Sequence, residues 1–252
     1  MLKARNLHFG NRLNLDSFSA QPSSLTVVLG SNGAGKSTLL TCIAGLLEQP
    51  ALQVEFNGTD LLDLAVDERA KRLAFLTQRQ TLDFDFTVDE VIRMGLHPLN
   101  LDAEQAEARF DQIVDALDLS ALLARRYPTL SRGEAQRTQI ARILMQRSVE
   151  PGLILMDEPL TALDLRHQQD VVQLILRIKE TEGHCFVVVL HDINIAAQFG
   201  DQFALLERGE MLGLGGTDLL QPDLLSRVFE IEIQRSVEAD GRLQFNAVMT
   251  ND

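Results

Sequence analysis

The stretch Gly30-Ser31-Asn32-Gly33-Ala34-Gly35-Lys36-Ser37 sets three glycines ahead of an adjacent lysine and serine. That spacing is the P-loop pattern, provided that it follows a strand and opens a helix. Apolar Leu25 to Leu29 precedes it, and a helical pattern from Lys36 to Leu47 follows. Glycines let backbone N–H groups curl around phosphate oxygens, and the positive end of the helix faces the same point. Lys36 is expected to reach the β- and γ-phosphates of a nucleotide, and the Ser37 hydroxyl to ligate Mg²⁺. Gly30, Ser31, Asn32, Gly33, Ala34, Gly35, Lys36, Ser37 and Thr38 are the candidate contacts to the triphosphate.

A second chemical feature is the apolar run Leu153-Ile154-Leu155-Met156, which ends in Asp157-Glu158. Strands often end in acidic residues, so the pair alone says little. Beside a P-loop it reads differently, because the ligand crevices of α/β sheets lie at the C-terminal strand ends. Asp157 then suits Mg²⁺ through its water shell, and Glu158 suits polarising an attacking water. The strand carrying them is expected to neighbour the P-loop strand.

These residues need a scaffold. Buried-strand patterns precede helical ones at Leu25 to Leu29, at Leu153 to Met156 before Leu165 to Ile178, and at Phe186 to Leu190 before Ile193 to Phe199. The alternation predicts an α/β fold with a mostly parallel sheet. Asn57-Gly58 and Asp240-Gly241 are hairpin-type turns, so antiparallel strands are expected to flank that core. From about Phe84 to Arg147 the pattern is helical, with capping boxes beginning at Thr87 and Ser131. The simplest division is one unit, 1–252, with an α/β core at 1–83 and 148–252 and an inserted all-helical lobe at 84–147. A short helix and a hairpin are expected from about Gln221, with no role readable. No repeat or low-complexity segment is visible.

The chain has 252 residues, 45% hydrophobic and 23% charged, the balance of a globular protein with a real core. Its formal net charge of −13 argues against a nucleic-acid partner, which needs concentrated Lys and Arg. Neither a long apolar run nor a charged-then-apolar leader is present, so a cytosolic chain is expected unless a partner tethers it. Cys42 and Cys185 lie far apart in apolar surroundings and read as packing residues. His8, His97, His167 and His184 show no metal-ligand spacing and receive no role.

With these motifs in order, Leu130-Ser131-Arg132-Gly133-Glu134 resembles the LSGGQ-type signature of ABC-transporter ATPases. The resemblance covers nearly the whole chain and implies a P-loop NTPase core with a helical signature subdomain. It implies ATP hydrolysis with Mg²⁺ by two cassettes closing head to tail, Ser131 and Gly133 of one gripping the ATP held by the other. It also implies that Gln78 is the Q-loop glutamine sensing Mg²⁺, with Gln80 a nearby competitor. Asp164 then bridges the cassettes, or is simply a helix N-cap. His191 contacts the γ-phosphate and orients the catalytic site. Phe9 stacks on adenine, or is a core residue at a strand end. Arg132 replaces the first glycine of the signature. Its side chain either clashes at the closed interface or adds a phosphate contact.

The run Phe86-Thr87-Val88-Asp89-Glu90-Val91-Ile92-Arg93-Met94-Gly95 is similar to the importer branch for iron-siderophores, haem and cobalamin. Arg125 to Ser131 and Leu190 to Asn194 are most similar to haem-import ATPases. The resemblance therefore implies a homodimer of cassettes at the cytoplasmic face of the inner membrane. Two permease subunits would dock near Phe84 to Pro98, with a periplasmic or surface binding protein delivering cargo through them. Siderophore or cobalamin cargo is the nearest alternative. A non-transport ABC ATPase or a nucleotide-dependent regulator is the alternative of another class.

Overall fold

A computed structural model of the chain describes residues 1–47, 49, 51–78, 84–239 and 241–248. Strands β1 (Leu2–Phe9) and β2 (Leu13–Ala20) form an antiparallel pair, and β3 (Leu25–Gly30) runs fully buried into the P-loop. Helix α1 (Lys36–Ile43) is shorter than its apolar pattern predicts. Gly45, at φ +68, donates to Cys42 O while Leu46 donates to Thr41 O, a Schellman closure that ends the helix before Leu47. β4 (Gln53–Phe56) and β5 (Thr59–Asp60) are joined by Asn57-Gly58 with both φ positive, as a tight hairpin of this type requires.

Helix α2 (Val66–Arg72) leads into β6 (Leu73–Leu76). The regular elements from 88 to 145 are helical: α3 (Val88–Arg93), α4 (Ala103–Ala116) and α5 (Arg132–Met145), with short 3-10 turns between them. Both predicted capping boxes are present. Thr87 accepts from Glu90 N and Ser131 from Glu134 N, and each glutamate reaches back to its N-cap amide. Then come β7 (Leu153–Asp157), α6 (Leu165–Glu182), β8 (Cys185–Val189), α7 (Ile193–Phe199), β9 (Gln202–Glu207) and β10 (Glu210–Gly215). Helix α8 (Pro222–Phe229) and the hairpin β11 (Ile233–Val237) with β12 (Leu243–Ala247) close the described chain. Asp240 of the predicted turn lies outside the described residues, and Gly241 takes φ +86.

The central sheet has the order β10-β9-β3-β8-β7-β6. All its pairings are parallel except β9 with β10. This corrects one expectation: β8 stands between β3 and β7, so the acidic strand does not neighbour the P-loop strand. β3, β7 and β8 are nonetheless buried at every position, as a sheet covered on both faces demands.

Successive residues of each central strand serve opposite faces. Val27, Leu29, Ile154, Met156, Phe186 and Val188 join the cluster containing α3 to α8. Val28, Leu155, Val187 and Val189 join a second cluster with α1 and the sheet β2-β1-β4-β5. The result is three layers, in which a side chain such as Phe186 contributes about 1.5–3 kcal/mol through burial. Cys42 and Cys185 are free and buried in the second cluster, and burial pushes the Cys185 thiol up to about 12.

Candidate functional site

The cradle is built locally. Gly35 caps α1 at φ +100 with no side-chain hydrogen bond, and the first turn of α1 holds no acidic residue. A Cβ on Gly35 would lie 2.6 Å from Arg12 O, and one on Gly30 would lie 2.5 Å from Leu206 O. Close backbone approach therefore requires glycine at both positions, and at Gly35 the left-handed conformation requires it as well. Lys36 is 6% exposed, and its Nζ donates to Gly30 O at 2.8 Å and Ser31 O at 2.9 Å, which curls the loop around the ammonium. Burial lowers the Lys36 pKa, against the pull of Glu158 and Asp157.

The same cavity, of about 310 Å³, is lined by Asn32 to Thr38, Gln78, Glu158 and Arg12. Strand β7 supplies Asp157 and then turns at Glu158, whose φ of +54 is a strained, left-handed conformation for a side-chain-bearing residue. Glu158 Oε1 lies 2.7 Å from His191 Nε2, and Oε2 accepts from Thr161 Oγ1 at 3.3 Å. Gln78 also hydrogen-bonds Glu158. Burial raises the Glu158 pKa, but His191 and these donors outweigh it and hold the carboxyl below its usual range.

Asp157 behaves oppositely. Burial pushes its carboxyl up, a hydrogen bond from Ser37 opposes this, and the nearby Glu158 charge adds to it. Its buried Oδ1 has no hydrogen-bond partner among the described residues. An orphaned carboxylate oxygen beside a serine hydroxyl fits a divalent cation, which would supply the missing partner.

The structure thus brings together Asn32 to Thr38, Gln78, Asp157, Glu158 and His191, drawn from four separate strand ends. It leaves Ser131, Gly133 and Asp164 away from the cradle of the same chain. Ser131 caps α5, and a Cβ on Gly133 would lie 2.9 Å from Ala162 O. Asp164 caps α6 and pairs with His167 Nδ1 at 2.9 Å. Phe9 packs against the cluster under β1, while Arg12, from the turn just after it, lines the cradle. Gln80 lies outside the described residues.

Sequence reasoning missed Arg12, Thr161 and Gln136. Gln136 Nε2 donates to Pro159 O at 3.0 Å and so ties α5 to the turn after Glu158. Only Thr161 left a signal, its spacing of three from Glu158 in a tight turn. Beside this site, Arg132, Gln78 and Glu158 share a further cavity of about 780 Å³.

The ABC transporter family model matches residues 13–161, from β2 to the turn after Glu158. The hemin import ATP-binding protein HmuV of Rhodopseudomonas palustris is 37% identical over 227 residues, 88% of this chain and 85% of that one. Its namesake from Bordetella pertussis is 38% identical over 242 residues, 92% of each. Among solved structures, a dimeric bacterial ABC transporter cassette superposes with a TM-score of 0.74 at 25% identity, covering 86% of this chain and 99% of that one. An ATP-binding subunit of an ABC transporter gives 0.78 at 24% identity, covering 86% and 90%. P-loop, acidic strand end and signature turn occur in that family's order on that family's fold, so this chain belongs to the ABC transporter family, as one of its ATPases.

Proposed function

We propose that this protein is the ATP-hydrolysing subunit of a bacterial importer, with haem as the cargo. The observation that carries the hydrolytic part is the Glu158 carboxylate, held ionised 2.7 Å from His191 and facing the cavity that Lys36 and Ser37 line. In this reading the loop from Gly30 to Thr38 binds the triphosphate, with Lys36 on the β- and γ-phosphates. Glu158 polarises the attacking water and His191 orients it at the terminal phosphorus. Ser37, Gln78 and Asp157 would hold Mg²⁺, which neutralises phosphate charge when bound. Phe9 stacks on the base.

The surface placement of Ser131, Gly133 and Asp164 supports a second cassette as their partner. Two ATP molecules then join two cassettes, and hydrolysis lets them part. The helical stretch 84–147 acts as a lobe on the α/β core of 1–83 and 148–252, and transmits that motion to two permease subunits. Among the described residues no helix is long and apolar enough to cross a membrane. Separate permeases would therefore hold the protein at the inner face of the membrane, and a binding protein would load them. Exposed Phe84, its ring tilted against Phe86 with centroids 5.9 Å apart, offers an apolar contact in the segment expected to dock.

Haem as cargo is supported by two relatives named for hemin import at 37% and 38% identity. The deciding experiment reconstitutes this subunit with its permease in vesicles and asks which loaded binding protein stimulates ATP turnover. Stimulation by the haem-loaded protein is expected. Stimulation by a siderophore-loaded or cobalamin-loaded protein alone would overturn the cargo assignment and leave the ATPase assignment standing.

A further inference from the structure

The residues after α8 take no part in the cradle, yet they are tied to it. A two-stranded hairpin is marginal by itself in water, so β11 and β12 depend on what they touch. Ile233 and Phe245 anchor them in the main apolar cluster. The amide of Ile233 donates to Ser226 Oγ at 2.8 Å.

A more specific tie comes from Asn194, 51 residues away in sequence. Its Oδ1 accepts from Phe245 N at 2.7 Å, and its Nδ2 donates to Phe245 O at 3.1 Å. One carboxamide thus makes the pair of bonds that a neighbouring strand would make. Asn194 sits in the first turn of α7, three residues after His191. Asp192 between them caps that helix, accepting from Asn194 N at 2.8 Å and Ile195 N at 3.0 Å. His191, the cap and the clamp are therefore one short rigid unit. Helix α7 has seven residues; Ala196 is fully buried, and Ile193, Ile195, Ala197 and Phe199 pack partly buried against the main cluster, so apolar contact holds the helix while the Asn194 bonds fix where it starts.

We infer that Asn194 is a positioning residue: by clamping the backbone of Phe245 it fixes the start of α7 on the C-terminal hairpin and sets the His191 ring against Glu158. The effect on turnover rests on the hydrolytic reading of Glu158 and His191 given above. The geometric effect on the ring does not. This gives the C-terminal hairpin a task, namely to hold the far side of the helix that delivers the histidine.

The test uses the full-length protein. In Asn194→Ala, the imidazole ¹⁵N resonances of His191 shift from those of the parent, because the bond to Glu158 is altered. ATP turnover shows kcat lowered about three- to tenfold, with KM for ATP within about twofold of the parent. Phe245→Leu keeps both backbone bonds to Asn194 while trimming the apolar anchor. It lowers Tm but leaves the His191 resonances and kcat at parental values. If Asn194→Ala does not accumulate folded, Asn194→Ser, an uncharged side chain too short to make both bonds to Phe245, is read for the same signs. Unchanged His191 resonances in the folded Asn194 variant would overturn the inference. So would a kcat loss in Phe245→Leu that matches its loss in Asn194→Ala, since that is general loosening. Parental turnover in His191→Ala would instead sink the hydrolytic reading, with the resonances still deciding the clamp.

Discussion

Two helix N-termini carry the family's phosphate motifs in this chain, and they are built in opposite ways. Helix α1 begins at Gly35 with no side-chain cap, no acidic residue in its first turn and Lys36 folded into the loop ahead of it. Helix α5 begins at Ser131 with a complete capping box, Glu134 in the first turn and Arg132 exposed. The first leaves its positive end unscreened toward a cavity of its own chain. The second satisfies its own first amides and opens on the separate cavity that Arg132 shares with Gln78 and Glu158. On the proposed reading, the contrast is why one end would hold a nucleotide within a single cassette while the other would meet one only across a second cassette.

The sharpest separation of the two ends comes from the group that neither contains. Glu158→Gln is expected to cut steady-state turnover by about 10²–10⁴ while the cradle still binds ATP. Retained turnover would show that the carboxylate is not the water-polarising group.

The cradle itself breaks at particular glycines. Gly33 and Gly35 both have positive φ, but a Cβ on Gly33 meets nothing within 4 Å, whereas one on Gly35 meets Arg12 O at 2.6 Å. Gly35→Ala should therefore destabilise by about 1–3 kcal/mol more than Gly33→Ala in chemical denaturation, because Arg12 backbone must move. Equal losses would mean that conformation alone selects glycine in this loop.

At the α5 end, Arg132→Gly should leave ATP binding to a single cassette unchanged. In the reconstituted transporter it should raise KM for ATP about tenfold, the loss of one charge-assisted phosphate contact worth about 1.4 kcal/mol. Identical kinetics would make Arg132 a bystander, and a lower KM would show that it obstructs closure.

The smallest effect tests the charge balance of the site. Thr161 donates to Glu158, so Thr161→Val removes stabilisation of the ionised carboxylate and raises its pKa. The acid limb of the turnover profile should move to higher pH. Sign matters here: a carboxyl held below its usual range keeps activity at acid pH that the variant loses first. A shift to lower pH, or none, would remove Thr161 from the site.

Much of this architecture was readable without coordinates because its causes are local. The two capping boxes, the Asn57-Gly58 turn and the P-loop each depend on residues within a few positions of one another. The helical stretch from Val88 to Met145 showed as periodicity. What periodicity hid was the end of α1, where Gly45 closes a helix that the apolar pattern continues through to Leu47. Arg12 and Gln136 were invisible for a different reason, since each reaches the site from an element remote in sequence and carries no motif.

By itself the sequence determined the α/β class through its alternation of strand and helix patterns, and the phosphate loop, the acidic pair and the family through short patterns whose chemistry requires those residues at that spacing. Only the tertiary structure decided that β8 lies between β3 and β7, that His191 and Glu158 form a 2.7 Å pair, and that Asn194 clamps Phe245. Strand order and such contacts are settled by how buried faces pack across the whole chain, and no local spacing encodes that competition.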